Sequence, residues 1–372
     1  MMSEKLLNLL VSLSISGSIL FGIWIIASVF LKKKISRCSQ YYLLLIVLLR
    51  FVLPFSPSQS LVGTLFSSIE TSPFYEMLYG SAVKRNSSVF IGDNVIFKDN
   101  IIMGSKEQPF APYILYIWLA IAFCLLIHKI TKYQSFAKYI KTDWQPVDNP
   151  EILDVLSEIC EDKNITTPID IYTTPLVSSP LLLGIKKNYI VLPHENLTKE
   201  QLHSILSHEI THYKSKDIYY KWFMQLIICI HWFNPVVYYI GKVMNQECEY
   251  ACDEATTRHF TKEEYYRYGA TLIEMAKHPG NYNEKLGSVT LYENTNEIKK
   301  RLDSMLLAKK RKQPRRSIAF LLVAGLLVVA FSLGVYTTRS TPVENKLDEQ
   351  TTDTNSNEKG TTNSKPLGRH FS

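Results

Sequence analysis

Apolar residues in this chain fall in long blocks, separated by a stretch where the spacing turns helical and then alternating. Residues 6–31 carry no charge and lie between Lys5 and the basic cluster Lys32, Lys33, Lys34 and Arg37. That exceeds the roughly 20 residues a bilayer-spanning helix requires. A cleaved leader would have a shorter apolar run ending on small residues, so the block predicts a span. Residues 41–55 form a second block whose single charge is Arg50, placed to snorkel outward or to meet another helix. Residues 109–128 and 317–338 form a third and a fourth, both uncharged. A fifth run, residues 222–240, is broken at His231 and again at Asn234-Pro235, where proline interrupts a helix. It is expected at the membrane surface or in a protein core.

The polar middle reads differently. Asn149 followed by Pro150 and the periodic EILDVLSEI predicts a capped helix. Residues 169–173 alternate and are β-branched, and the LLLG and NYIVLP stretches read as short strands separated by Gly184 and Lys186-Lys187. Thr198 and Gln201 form a capping box, so a helix should begin near Lys199 and turn Leu202, Ile205 and Leu206 inward.

Charge then orders the blocks. Three flanks are strongly basic: residues 32–37, 129–141 and the KKRKQPRR run at 309–316. Short basic flanks stay cytoplasmic. All three are inside if the N-terminus is outside the cell, residues 1–55 form a two-span hairpin, and residues 129–316 are a cytoplasmic domain. Residues 56–111 are then an extracellular loop, and residues 339–372 an extracellular tail. A single crossing at 222–240 would separate two of the basic flanks, which argues against one. The net charge of +7 thus reflects topology in a bilayer, and direct nucleic-acid binding is not expected. Average hydrophobicity, 46% of residues, hides all this because apolar blocks and polar segments offset each other. The six cysteines avoid the predicted outer segments, so no disulfide scaffold is implied, and Cys248 and Cys252 read as ordinary helix residues.

The candidate chemistry lies at His208-Glu209-Ile210-Thr211-His212. Two histidines four apart project from one face of a helix, at a separation one zinc ion can bridge. Glu209 is adjacent, where a carboxylate can take a proton from a water activated by the metal and pass it to a leaving amine. A catalytic zinc takes three protein ligands. Downstream, Glu249 and Asp253 lie one helical turn apart, one suited to ligate and the other to accept the second N–H of a ligand histidine. Glu247 and Glu254 are alternatives for the third ligand. His231 reads as a buried histidine satisfied by backbone.

Taken together, the stretches His208–Asp217, His231-Trp-Phe-Asn-Pro235 and Glu249-Tyr-Ala-Cys-Asp253 resemble the M56 membrane metallopeptidases, which include β-lactam sensor-transducers of the BlaR and MecR kind. The likeness spans most of residues 1–340. It implies a multi-pass α-helical membrane protein with a cytoplasmic α+β gluzincin-type domain. It also implies zinc on His208, His212 and Glu249, with Glu209 as general base and Asp253 behind a ligand. Regulated cleavage of a cytoplasmic protein, a winged-helix repressor in many members, and self-cleavage are further implications. In that family the GIKKNYIVLP stretch corresponds to a strand lining the substrate cleft. The 34 residues after the fourth block are rich in Thr, Asn, Ser and Lys and cannot bury a core, so the penicillin-binding sensor domain of those transducers is expected to be absent. Two alternatives stand beside this reading. One is a quality-control membrane protease of the HtpX or Ste24 sort, which shares an ExxxD after HExxH; the other is a signalling scaffold without turnover.

Overall fold

The computed structural model describes residues 2–31, 34–55, 60–62, 64, 87–91, 94–99, 111–276, 295–310 and 316–334. The tail at 339–372, most of the 56–111 loop and the end of the fourth apolar block lie outside them.

The first apolar block forms α1, Met2–Leu31, and the second forms α2, Arg37–Val52, capped by Ser36. The two pack closely enough that a Cβ on Gly17 would lie 2.5 Å from the ring of Phe51 and force that ring to shift. Residues Ser87–Ile91 (β1) and Asn94–Asp99 (β2) pair as an antiparallel hairpin. The third block continues without a break through the basic stretch as α3, Ala111–Lys141. The fourth is α10, Arg316–Leu333, closed by Gly334 at a φ of 57°. Leu6–Leu31 and Tyr113–Lys141 are long and apolar enough to cross a membrane, and Phe320–Leu333 is a shorter apolar helix.

Arg50 pairs with other helices instead of snorkelling. It donates to Ser16 Oγ of α1 and to the carbonyl of Leu53, each at 2.8 Å, and to the carbonyl of Gly334 beyond α10. A guanidinium with only 5% exposure is costly unless its N–H groups are satisfied, and here three helical segments satisfy them.

The polar middle folds as the spacing predicts, around a small mixed sheet. Gln145–Pro146 (β3), Asp170–Thr173 (β4), Leu181–Leu183 (β5) and Tyr189–Leu192 (β6) lie in the order β3-β4-β6-β5, with β4 and β6 parallel and the outer pairings antiparallel. The tight β5–β6 connection depends on Gly184 at a φ of 104°, since a Cβ there would lie 2.0 Å from the Lys187 carbonyl. The strand in the GIKKNYIVLP stretch is internal, with partners on both edges. The outer strand on that side is β5.

On one face of the sheet lie α4, Pro150–Asp162, capped by Asn149, and α5, Lys199–Ser215, opened by the Thr198–Gln201 capping box. Ile152, Val155, Ile159, Ile171, Ile190, Leu202, Ile205, Leu206 and Ile210 fill the space between them. The fifth apolar run is split into α6, Asp217–Ile230, and α7, Pro235–Thr256, at the turn holding His231 and the cap residue Asn234. Both helices share one core with α1, α2 and α10, through Met224, Ile227, Val237, Ile240 and Met244 against Leu20, Phe21, Leu44, Val47 and Leu326. Asn234 donates to Ser14 and Ser18 of α1 at 2.7 and 2.9 Å. His231 is fully buried, with Nε2 3.1 Å from the carbonyl of Phe51, so its polar requirement on that side is met by backbone. Helices α8, Lys262–Ala276, and α9, Thr295–Lys310, complete the domain around Tyr265, Tyr268 and Met305.

Candidate metal centre

Helical spacing puts His208 and His212 on one face of α5, and the packing of α7 across α5 brings Glu249 to them. Nε2 of His208 and Nε2 of His212 are 3.1 Å apart, and Glu249 Oε2 lies 3.4 and 3.6 Å from them respectively. Ligands 2.0–2.2 Å from a tetrahedral metal are separated by about 3.3–3.6 Å, the edge of the tetrahedron. Three donors of types that hold zinc thus form a triangle close to that size, its His–His side the shortest, and Arg301 Nη2 lies 3.5 Å from His208 Nε2. Glu209 follows His208 on the same helix and is buried with it.

The opposite sides of the two rings are equally constrained. Nδ1 of His212 is 2.6 Å from Asp217 Oδ2. A carboxylate only accepts, so the proton sits on Nδ1 and the Nε2 lone pair is left for the triangle. His208 Nδ1 lies 2.8 Å from the hydroxyl of Tyr268, which itself donates to Asp253 Oδ1 at 2.6 Å. Asp253, the residue one turn beyond Glu249, stands 3.4 Å from His208 Nδ1 and acts on it through that hydroxyl. Arg301 of α9 grips Asp253 with Nη2 at 2.7 Å and Nε at 2.9 Å. Its Nη1 reaches 3.6 Å from Glu249 Oε2, and Lys221 Nζ lies 3.8 Å from Glu249 Oε1.

The electrostatics match a cation site. Burial alone would raise the carboxyl pKa of Glu249, but His212, His208 and Arg301 hold it well below its ordinary value, so the glutamate is charged. Burial alone would lower the imidazole of His208, yet Cys252 and Glu249 outweigh it and raise it to about 10. An anionic cluster that holds protons on its imidazoles is one in which a divalent ion can replace them.

Two other groupings of possible donors, His208 with His212 and Cys252, and His212 with Cys248 and Glu249, also fall close together. The thiols, however, stand on the Nδ1 side of the rings: Cys252 Sγ is 3.4 Å from His208 Nδ1 and Cys248 Sγ 3.9 Å from His212 Nδ1. Both thiols thus approach the imidazoles from the side opposite the Nε2 atoms. The alternatives to Glu249 are engaged elsewhere, Glu247 with the side chain of Arg37 at 3.3 Å and Glu254 with its backbone N–H at 2.8 Å.

Sequence reasoning alone does not assign roles to Asp217, Tyr268 and Arg301. Asp217 comes five residues after His212, past Lys216, whose left-handed φ of 57° turns the chain back toward the imidazole. Nothing about a lysine predicts that conformation. Arg301 does leave a readable trace, since it shares a helical face with the buried Ile298 and Met305. A charge on an apolar stripe requires a buried partner.

A mostly helical chain with two membrane-length apolar helices, in which HExxH imidazoles meet a glutamate from a second helix, is of metallopeptidase type. The chain belongs to the M56 peptidase family: the family model for BlaR1 peptidase M56 matches residues 8–306. It is homologous to the regulatory protein BlaR1 of Bacillus licheniformis, 25% identical over 84% of this chain and 53% of that protein. It is also similar to the methicillin resistance mecR1 protein of Staphylococcus aureus, 26% identical over 38% of this chain and 25% of that protein. Against the BlaR1 of Staphylococcus aureus it is 20% identical over 57% of this chain and 37% of that protein. The chain thus spans about half, or less, of the length of these relatives.

Proposed function

We propose that this protein is a membrane-bound zinc endopeptidase that cleaves a cytoplasmic protein in signal transduction. The observation that carries the reading is the triangle of His208 Nε2, His212 Nε2 and Glu249 Oε2, with sides of 3.1, 3.4 and 3.6 Å. Zinc held there supplies Lewis acidity, acidifying a water molecule and polarising a peptide carbonyl. The protein's own groups do the rest. Glu209 accepts the proton of the attacking water and delivers it to the leaving amine. Asp217 and the Tyr268–Asp253–Arg301 chain keep both imidazoles in the Nδ1-protonated form. The outer edge of β5, which has no strand partner among the described residues, offers an extended substrate a strand to pair with, which presents its peptide bond to a fixed site without side-chain specificity.

The four apolar blocks serve as spans in this reading, with the N-terminus outside and residues 129–316 in the cytoplasm. The substrate is a repressor-like protein, with a winged-helix repressor and the chain itself as the two targets to try first. That regulatory role is supported by membership in a family whose named relatives are regulatory and resistance proteins.

The test is zinc content and proteolysis of the detergent-purified protein beside Glu209→Ala and Glu249→Ala. Wild type should hold about one zinc, Glu209→Ala should keep it while cleavage falls by about 10²–10⁴-fold, and Glu249→Ala should lose it. A wild type that takes up no zinc would mean a signalling scaffold in place of a peptidase.

A further inference from the structure

The carboxylate that orients His212 is itself held from a distant part of the chain. Tyr41, in the first turns of α2, donates its hydroxyl to Asp217 Oδ1 at 3.0 Å, while Oδ2 of the same carboxylate takes the His212 N–H at 2.6 Å. Tyr41 and Asp217 are 3% and 4% exposed, so no solvent stands ready to replace either bond. The phenol ring is fixed edge-on to Tyr220 at a centroid distance of 4.6 Å, and the Tyr220 hydroxyl donates to the Tyr41 carbonyl at 3.2 Å. The start of α2 is also fastened to α7, the helix bearing Glu249. Arg37 pairs with Glu247 at 3.3 Å and gives its backbone N–H to Glu254 at 2.8 Å, and Cys38 lies 3.4 Å from the Ala251 carbonyl.

We propose that Tyr41 is a positioning residue of the metal centre: through Asp217 it fixes the orientation of the His212 imidazole, so that zinc affinity depends on how α2 is seated. The inference rests on the zinc-peptidase reading above. A carboxylate with both oxygens engaged is fixed in its plane. Without the Tyr41 hydroxyl, Oδ1 is left buried with an unmet acceptor, and Asp217 gains freedom to turn away from Nδ1. A displacement of the second apolar helix would thereby reach the metal in two hydrogen bonds.

The experiment is a zinc titration against a chromophoric chelator on the full chain in detergent, with the visible spectrum of the cobalt-substituted protein as a second readout. Asp217→Asn should weaken zinc binding about 10–100-fold, and Tyr41→Phe, one bond further out, about three- to tenfold, with an altered cobalt spectrum. The Phe variant keeps the ring and its contact with Tyr220. Tyr41→Met, which also lacks the donor, carries the same expectation should the Phe variant fail to fold. The double variant Tyr41→Phe/Asp217→Asn should bind no more weakly than Asp217→Asn alone, because the hydroxyl then has nothing to act through. Tyr238→Phe, whose exposed hydroxyl bonds the Trp232 carbonyl, should match wild type. Wild-type zinc affinity in Tyr41→Phe, with or without a loss of thermal stability, would make Tyr41 a packing residue and overturn the proposal while leaving the peptidase reading intact. Fully additive losses in the double variant would also overturn it. A wild type that binds no zinc overturns both.

Discussion

Two of the buried arginines, one among the apolar helices and one beside the candidate metal centre, differ in the kind of partner they hold. Arg50 directs its guanidinium at neutral oxygens: a serine hydroxyl and two carbonyls at the ends of apolar helices. That knot is closed, and it joins helices. Arg301 grips a carboxylate with two nitrogens, and its third reaches toward Glu249 at the edge of the donor triangle. In the second cluster His208 Nε2, His212 Nε2 and Glu249 Oε2 converge on one point, with Arg301 Nη2 3.5 Å from His208 Nε2. A buried polar cluster whose acceptors all have donors is architecture. One whose acceptors converge on a point, with an arginine at its rim, is a candidate metal site.

The sharpest way to break the contrast is to remove a corner of the triangle. His212→Ala should abolish stoichiometric zinc, read by elemental analysis, while the folded helical content read by circular dichroism persists. Arg301→Met should come next. It leaves Asp253, which is fully buried, as an uncompensated charge at a cost of about 3–5 kcal/mol in chemical denaturation, and it should weaken zinc about 10–100-fold. Arg50→Met should destabilise by about 2–3 kcal/mol, since its acceptors lose a charged donor, but leave zinc affinity at the wild-type value. A change in affinity there would show that the two clusters are not separable. Tyr268→Phe should cost about 1–2 kcal/mol and several-fold in zinc affinity, by cutting the link from His208 to Asp253. The smallest effect belongs to the capping box of α5: Thr198→Ala should lower stability by about 1 kcal/mol in a thermal melt, with the metal unaffected.

Local chemistry makes much of this legible. The caps at Asn149 and Thr198 and the turn at Gly184 each depend on a few neighbouring residues, and each forms where its residues predict. The break at Asn234-Pro235 is equally plain, because proline cannot donate and the asparagine side chain caps the first turn of α7. Less legible is the place of the fifth apolar run. Its two helices share a core with α1, α2 and α10, a matter of which apolar surfaces fit one another, and no periodicity encodes that. The strand preceding α5 is recognisable as a strand, but its rank in the sheet is not, and on that side the edge among the described residues belongs to β5.

By itself the sequence determined the two halves of the candidate site. A four-residue interval on a helix places side chains on one face whatever surrounds them, so the spacing alone pairs His208 with His212, and Glu249 with Asp253. Only the tertiary structure decided that those faces meet, and which groups stand behind them. Tyr41, Asp217, Tyr268 and Arg301 reach the imidazoles and their carboxylates from four other helices. Their arrival depends on long-range packing and on a left-handed turn at a lysine, and apart from the charge of Arg301 on an apolar stripe neither leaves a local signature in the chain.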